Sequence, residues 1–104
     1  MLPLSSLTAA KAQIWTVPSG AGLVLRHWDD EYLAYSELTG QTHLLALFPG
    51  VVLTLLQEGP SSPAELTARV AEALQLEEGD TLLTTVEQTL ADFERLGLVE
   101  QNPV

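Results

Sequence analysis

The sequence predicts an α+β fold in which a small antiparallel three-stranded sheet is followed by a three-helix, winged helix-turn-helix-like bundle. Up to about Phe48, short runs of strand-favouring residues are separated by turn-forming residues, and the pattern has a period of about two. Beyond Phe48 the apolar residues recur every three or four positions, which is typical of helices that bury one face. Strands come first and helices second, which favours an α+β domain.

The length and composition of the chain restrict the class of protein. With 104 residues it has the size of one domain, which we place at residues 13–104. Residues 1–12 show no hydrophobic period, so we expect a flexible N-terminal arm there. The absence of cysteine excludes disulfides and thiolate metal sites. Since the longest apolar run is too short for a membrane span and no secretory signal is recognisable, we expect a cytoplasmic protein without membrane contact.

The charge of the chain is strongly negative. Fourteen Asp and Glu residues oppose four Lys and Arg residues, which gives a formal net charge of −10 at pH 7. This charge repels nucleic acid and anionic lipid, so it favours a basic or neutral partner. The alternative is that the carboxylates only keep a small domain soluble.

Two hairpins are predicted in the first half of the chain. The run "LVLRHW" is followed by Asp29 and Asp30, which tolerate positive φ and can form a tight turn, and "EYLAYS" returns as the partner strand. Gly40 allows "ELTGQ" to close a second hairpin, and "THLL" is then the third strand. The earlier run "QIWTV" ends at Pro18 and predicts a short strand, for which we consider a place beside this meander.

Three helices are predicted after the strands. Pro49 suits the first position of the first helix, which is apolar almost all round and therefore buried against the sheet. Ser62 and Glu65 form a capping box that begins the second helix. Asp80 is a good cap for the third helix. Gly97 is a natural terminator of that helix, and the following leucine can fold back in a Schellman contact.

The two histidines and the carboxylates of the first hairpin are candidate metal ligands. His27 and His43 with Asp29, Asp30 and Glu31 contain suitable ligand atoms, but no pair has the same-face spacing of a helical metal site. Two partly buried, hydrogen-bonded histidines are the favoured interpretation. We therefore expect no metal and no cofactor.

Catalytic chemistry finds little support in the sequence. Asp29 and Asp30 are adjacent carboxylates, but on a hairpin tip they are solvated and diverge, so turn formation explains them better than acid/base catalysis. The chain has neither a GxSxG nucleophile motif nor a GxxxxGK phosphate loop. We therefore expect no catalytic residue and no enzyme.

Nucleic-acid binding was considered because a winged helix can read DNA with its third helix. Residues 77–94 contain six acidic residues and no basic one, which disfavours contact with phosphates. Trp28, Tyr32 and Tyr35 could stack on bases, but only Arg26 lies near them, so packing within the sheet is the better interpretation. We expect no nucleic-acid partner.

The sequence resembles the PqqD family of peptide chaperones, small recognition modules for ribosomally made (RiPP) precursor peptides. The resemblance runs from about Trp15 to Glu100 and is closest to the PqqD-like branch named for the HPr-rel-A system. It depends on "LRHWDDEYLAYSELTGQTHLL", on the junction "LLQEGPSSPAEL" and on the closing "LADFERLGLVE". The order of tryptophan, acidic turn, tyrosine, glycine turn and "THLL" is its most specific part.

This resemblance implies a domain without catalysis that binds a leader peptide as an added strand at the sheet edge. Strand addition works because an unpaired edge offers amide and carbonyl groups in register. By resemblance, the peptide lies between the third strand and the third helix. The implied edge residues are Gln41, Thr42, His43, Leu44 and Leu45. The implied wall residues are Leu83, Val86, Glu87 and Leu90, of which Glu87 would favour a basic peptide residue.

One feature departs from the family pattern. Relatives commonly open the first helix with a capping Asn or Asp before proline, whereas this chain has Phe48 before Pro49. Phe48 cannot cap with its side chain, so the start of the helix and the register of the groove do not follow from the resemblance.

The leading hypothesis is a non-catalytic module that captures a precursor peptide by strand addition and presents it to a modifying enzyme. The alternatives are a protein-interaction, homodimerisation or regulatory domain of a kinase-like system and, third, a winged-helix DNA reader. An edge strand used for pairing between two copies would occupy the same surface as a peptide.

Overall fold

The computed structural model describes residues 14–18, 20 and 22–102. The predicted arm at residues 1–12 lies outside the described residues. In chain order the elements are β1 (Ile14–Thr16), β2 (Leu23–Trp28), β3 (Glu31–Ser36), β4 (Thr42–Leu45), α1 (Leu47–Glu58), α2 (Pro63–Leu74), α3 (Asp80–Arg95) and β5 (Glu100–Asn102). Strands β2, β3 and β4 form an antiparallel sheet in that order, and three helices follow, which confirms the predicted α+β class.

The sheet has one face against the helices and one face away from them. Tyr32 and Ala34 of β3 are buried, whereas Tyr35, which follows Ala34, is exposed. Since neighbours in a strand point to opposite faces, the cross-strand partners of Tyr32 and Ala34, which include His27 and Leu25, share the inner face. Leu25 and His27 of β2 therefore lie on the face of the sheet that is turned toward the helices.

Both predicted hairpin turns are present. The β2–β3 turn has two residues, and Asp29 at its first position has φ 54°, in the left-handed region that aspartate tolerates. Gly40 in the β3–β4 turn has φ 74°, which a residue with a Cβ adopts only with strain. The two turns allow three consecutive strands to lie side by side.

The placement of "QIWTV" beside the meander was wrong. Its central part forms β1, which pairs antiparallel with β5 in a separate two-stranded sheet, so that Trp15 faces Gln101. The amide of Trp15 also donates to the carbonyl of Ser61, 2.9 Å away, and the reverse bond is 3.1 Å. Strand β1 therefore connects two regions that are distant in sequence, because it pairs with β5 near the other end of the described chain and also bonds to Ser61 between α1 and α2. Local sequence carries no signal for such a distant partner.

Helix α1 begins earlier than predicted. Pro49 occupies its third position, not its first, and the N-cap residue is Ala46, which has no side-chain cap. The proline is tolerated there because the first four N–H groups of a helix have no intrahelical acceptor. Among the residues of α1, Val52 and Leu53 are completely buried, as expected for a helix covered by a sheet.

The capping of the other two helices is partly as predicted. Ser62 and Glu65 form both bonds of the capping box of α2, 3.1 and 3.2 Å long. The prediction that Asp80 caps α3 was wrong, because Gly79 is the N-cap residue and Asp80 is the first helical residue. Asp80 still lies where a negative charge favours the helix dipole.

The end of α3 has the predicted Schellman arrangement. The amide of Leu98 donates to the carbonyl of Phe93 (2.9 Å), and that of Gly97 donates to the carbonyl of Glu94 (3.0 Å). Gly97 has φ 79°, and Leu98 is buried against the core. The chain is thereby turned toward β5.

A single cluster of buried side chains joins the sheet to the helices. It contains Trp15, Tyr32, Ala34, Leu45, Val52, Leu53, Leu56, Leu66, Val70, Val86, Leu90, Phe93, Leu98 and Val99. Of the helices that the structure describes, none has the length and apolar character needed to cross a bilayer.

Candidate functional site

The candidate site is the outer edge of β4. Strand β4 is the last of the three-stranded sheet, and within residues 14–102 as described, no strand pairs with its outer side. The amide of Ser36 donates to the carbonyl of Gln41, 2.9 Å away, which marks a hydrogen-bonded pair at the start of β4. Since such pairs alternate along an antiparallel ladder, His43 and Leu45 also direct their backbone groups toward β3.

Thr42 and Leu44 occupy the alternate positions, so their N–H and C=O groups point away from the sheet. None of the backbone or side-chain hydrogen bonds found among the described residues involves these groups. The edge of β4 therefore offers two donors and two acceptors spaced two residues apart, which is the pattern that another strand can pair with.

The opposite edge of the sheet is less accessible. By the same alternation Leu23 on β2 directs its backbone outward, and its carbonyl accepts a hydrogen bond of 2.8 Å from Nε2 of Gln57 on α1. A helix side chain thus occupies one end of the β2 edge. A cavity lined by His27 and Tyr32 on the sheet side and by Ala73 and Leu74 of α2 lies near its other end.

The side chains of β4 alternate between the two faces of the sheet. Leu45 is buried, His43 is half-buried on the same inner face, and Thr42 and Leu44 are on the outer face, where Leu44 is 67% exposed. Gln41 is exposed and precedes the strand, and its amide donates to Oγ1 of Thr39. Leu44 therefore places a large exposed apolar side chain beside the unpaired edge.

His43 has an unsatisfied polar atom. Its Nε2 is buried and has no hydrogen-bond partner among the described residues. A buried donor or acceptor without a partner costs about 1–3 kcal/mol, so such an atom in a small domain requires an explanation. His27 differs, since its ring stacks on Tyr32 with centroids 4.2 Å apart and its Nε2 lies 2.8 Å from the carbonyl oxygen of Asp29.

A shallow cavity of about 480 Å³ lies at the end of β4. Leu44, Leu45 and Leu47 supply apolar lining, and Asp30 and Glu31 supply negative charge. These two carboxylates come close because Tyr32 pairs with Leu45, which brings the β2–β3 turn beside the end of β4. From the sequence, Asp30 was predicted to form a turn, although the pairing of consecutive hairpins also indicates this proximity.

The four residues expected on α3 occupy different environments. Val86 and Leu90 are completely buried in the core. Leu83 is half-buried and lines a cavity of about 320 Å³ that also includes Thr67 of α2. Glu87 is exposed. The structure therefore places Thr42 to Leu45 on β4 and Gln41 directly before it. Of the four residues expected on α3, only Glu87 presents an exposed side chain.

Positive charge on the described surface is largely paired. Nη2 of Arg69 lies 2.7 Å from Oε1 of Glu58, and its Nη1 donates to Oγ of Ser61 (3.0 Å). Arg95 forms an ion pair with Asp92 on α3.

No group of three or more His, Asp or Glu side chains in the described part of the chain is arranged to hold a metal ion.

The outer face of the sheet carries exposed apolar side chains. Trp28 is 48% exposed and Tyr35 is 38% exposed, and both share this face with Leu44. Leu33 pairs directly with Leu44 and is half-buried. This apolar surface is continuous with the β4 edge.

Comparison with solved structures identifies a protein with the same fold. The structure of TbiB1 in complex with the TbiA(beta) leader peptide superposes with a TM-score of 0.64 and is 24% identical in sequence. The match covers 82% of this chain and 94% of that one. A scan against protein-family models gave no match, and a search of curated proteins gave none either. The similarity shows that the two chains share a fold.

Proposed function

We propose that this chain is a non-catalytic peptide-binding module that captures the leader segment of a ribosomally made precursor by strand addition at β4. The observation that carries the proposal is the unpaired edge at which Thr42 and Leu44 direct their backbone groups outward. In this role the module presents the precursor to a modifying enzyme, and catalysis belongs to that enzyme. The fold shared with TbiB1, whose structure was solved with a leader peptide bound, supports the proposal.

Backbone pairing supplies affinity in this mechanism, and side chains supply selectivity. A guest strand that pairs with Thr42 and Leu44 gains up to four hydrogen bonds in a register fixed by β4. Alternate guest side chains then face either the helices or the exposed Leu44. The cavity beyond Leu44 can accept an apolar guest side chain at the end of the added strand.

Charge favours a basic guest. Asp30 and Glu31 lie at the end of β4, and Glu87 is exposed on α3. The wall that we propose comprises Leu83, Val86, Glu87 and Leu90. In it Val86 and Leu90 hold α3 against the core, and Glu87 contacts the peptide. Attraction between these carboxylates and a lysine or arginine of the guest raises the rate of association and favours one register.

The resemblance to the PqqD-like branch of the HPr-rel-A system suggests a finer identity. In this proposal the modifying enzyme or a kinase-like protein of the same system is the partner that receives the bound precursor. The module itself needs neither a cofactor nor a metal to bind a peptide backbone.

Selection from a displayed library of random peptides on the immobilised full chain tests the proposal without knowledge of the natural precursor. We expect the enriched peptides to contain basic residues and to favour an extended conformation. Titration of the ¹⁵N-labelled chain with a selected peptide should then shift the amides of residues 41–45 and of residues 83–90. Saturable binding that moves only amides of β2 or of the α2 surface would contradict the placement, and a library without enriched peptides would contradict the function.

Self-association is the second candidate function, and the exposed outer face of the sheet favours it. Trp28, Tyr35 and Leu44 form an apolar surface that a second copy could cover, and two β4 edges could also pair. Sedimentation of the chain with and without a selected peptide separates the possibilities. A dimer that dissociates when peptide is added uses the β4 edge, whereas a dimer that persists uses the outer face.

A further inference from the structure

The unsatisfied Nε2 of His43 is the one buried side-chain nitrogen or oxygen without a hydrogen-bond partner among the described residues. It lies on β4, the strand whose outer edge is unpaired. Polar groups in protein interiors are almost always hydrogen-bonded, so each exception requires an explanation. Since the ring belongs to the edge strand, a molecule added to that edge can reach it.

The geometry of the sheet defines what a guest strand places next to His43. The backbone groups of His43 point toward β3, so an antiparallel guest would meet this residue at a non-hydrogen-bonded position. At such positions the facing Cα atoms are only about 4.5 Å apart and the side chains are closest. The guest residue opposite His43 therefore projects its side chain along the imidazole on the inner face of the sheet.

The neighbouring guest residues project to the other face. There Leu44 is 67% exposed and Leu33 is half-buried. The guest residue opposite Leu44 can cover this apolar surface, which favours an apolar side chain at that position. The sheet thus distinguishes two successive guest positions, one beside an unsatisfied nitrogen and one beside exposed leucine.

We propose that His43 selects its guest peptide: Nε2 forms a hydrogen bond with a polar side chain at the guest position opposite His43, directly beside an apolar residue opposite Leu44. This inference rests on the proposed function, because it requires a strand at the β4 edge. The terminal torsion of a histidine side chain has a broad range, so the ring can turn toward a guest side chain on the same face. The guest then supplies the partner that the free chain lacks.

Selection from the displayed peptide library with wild-type and His43→Leu chains tests the inference. Wild-type chain should enrich a side chain with a hydrogen-bonding group at one fixed position next to an apolar residue, and His43→Leu should replace that preference by an apolar one. A wild-type-selected peptide should bind His43→Leu about tenfold more weakly. His27→Leu, a change on the same face but on the distant strand β2, is the matched control and should keep the wild-type preference.

Two further measurements cover the case in which His43→Leu does not fold. His43→Gln retains a hydrogen-bonding group and should retain the polar preference. In wild-type chain with ¹⁵N-labelled histidine, the Nε2 resonance of His43 should shift when the selected peptide binds. Identical preferences in wild-type and His43→Leu, or an unchanged Nε2 resonance at saturation, would overturn this inference alone. A wild-type chain that enriches no peptide would overturn the proposed function as well.

Discussion

The ring of Tyr32 lies directly on the backbone of Gly50. A Cβ atom added at Gly50 would stand 2.7 Å from Cε1 of this ring and closer still to Cγ and Cδ1. The same ring stacks on His27, with centroids 4.2 Å apart and planes inclined by 11°. Through its contacts with His27 and with Gly50, Tyr32 holds α1 against the sheet and fixes the helix relative to β3.

Gly50→Ala is expected to destabilise the protein although it improves helix propensity. Alanine is favoured over glycine by about 1 kcal/mol inside a helix, whereas overpacking a buried contact costs about 1–3 kcal/mol. We expect a net decrease of up to about 2 kcal/mol in the free energy of unfolding, measured by urea denaturation. Gly59→Ala is the control, since nothing lies within 4 Å of a Cβ there. A Gly50→Ala chain more stable than wild type would show that Tyr32 moves away without cost.

Ser62→Ala is expected to lower stability through loss of the capping box. The change removes the acceptor for the amide of Glu65, 3.2 Å from Oγ of Ser62, at the start of α2. Loss of an N-cap side chain costs about 0.5–2 kcal/mol. Thermal unfolding followed by circular dichroism measures the effect.

The reverse change is available at the start of α3. Gly79 is an N-cap residue without a side chain and has open space around it, so Gly79→Ser should stabilise by a few tenths of a kcal/mol. If Ser62→Ala and Gly79→Ser changed the stability equally and in the same direction, the assignment of these residues as helix caps would be contradicted.

Thr42→Pro is expected to abolish peptide binding and to preserve the fold. Proline removes the outward N–H of Thr42, and it is tolerated at the first residue of an edge strand whose N–H does not serve the sheet. We expect affinity for a selected peptide to fall by more than about tenfold, measured by calorimetry. Thr42→Ala keeps the N–H and should bind nearly as wild type. Unchanged affinity of Thr42→Pro would place the peptide elsewhere.

Leu90→Ala and Glu87→Gln separate a structural residue of α3 from a binding residue. Leu90 is completely buried, so its truncation should cost about 2–5 kcal/mol of stability. Glu87 is exposed, so Glu87→Gln should change stability by less than about 0.5 kcal/mol. Under the proposed function Glu87→Gln weakens binding of a basic peptide and makes it less dependent on salt. Unchanged affinity and unchanged salt dependence in Glu87→Gln would remove Glu87 from the site.

Most of the fold could be predicted from features that act within a few residues. The two hairpins follow from turn residues such as Asp29 and Gly40, and the start of α2 follows from the capping box of Ser62. The predicted cap at Asp80 was wrong by one residue, and the predicted position of Pro49 in its helix was wrong by two residues. Helix ends are set by which backbone groups find partners, and neighbouring positions compete for this role.

The candidate site was predicted less completely. The residues of β4 were recognised as an edge, but the sequence did not distinguish their outward backbone groups from their inward ones, because that depends on the register with β3. Nor did it indicate the acidic cavity beside Leu44, which results from the packing of one hairpin against the next. Val86 is buried and Glu87 is exposed because consecutive residues point about 100° apart around a helix, so that one of them can face the core and the next one solvent.

The sequence by itself determined the order of strands and helices, the faces of the sheet and the stop signals at Gly97, because these depend on local periodicity and backbone preference. The tertiary structure alone decided that β1 pairs with β5, that Gln57 covers the edge of β2 and that His43 keeps an unsatisfied nitrogen beside the other edge. Each of these joins residues far apart in the chain or depends on the surroundings of one atom. Such contacts are decided by the way the whole chain buries its apolar surface, which no short segment specifies.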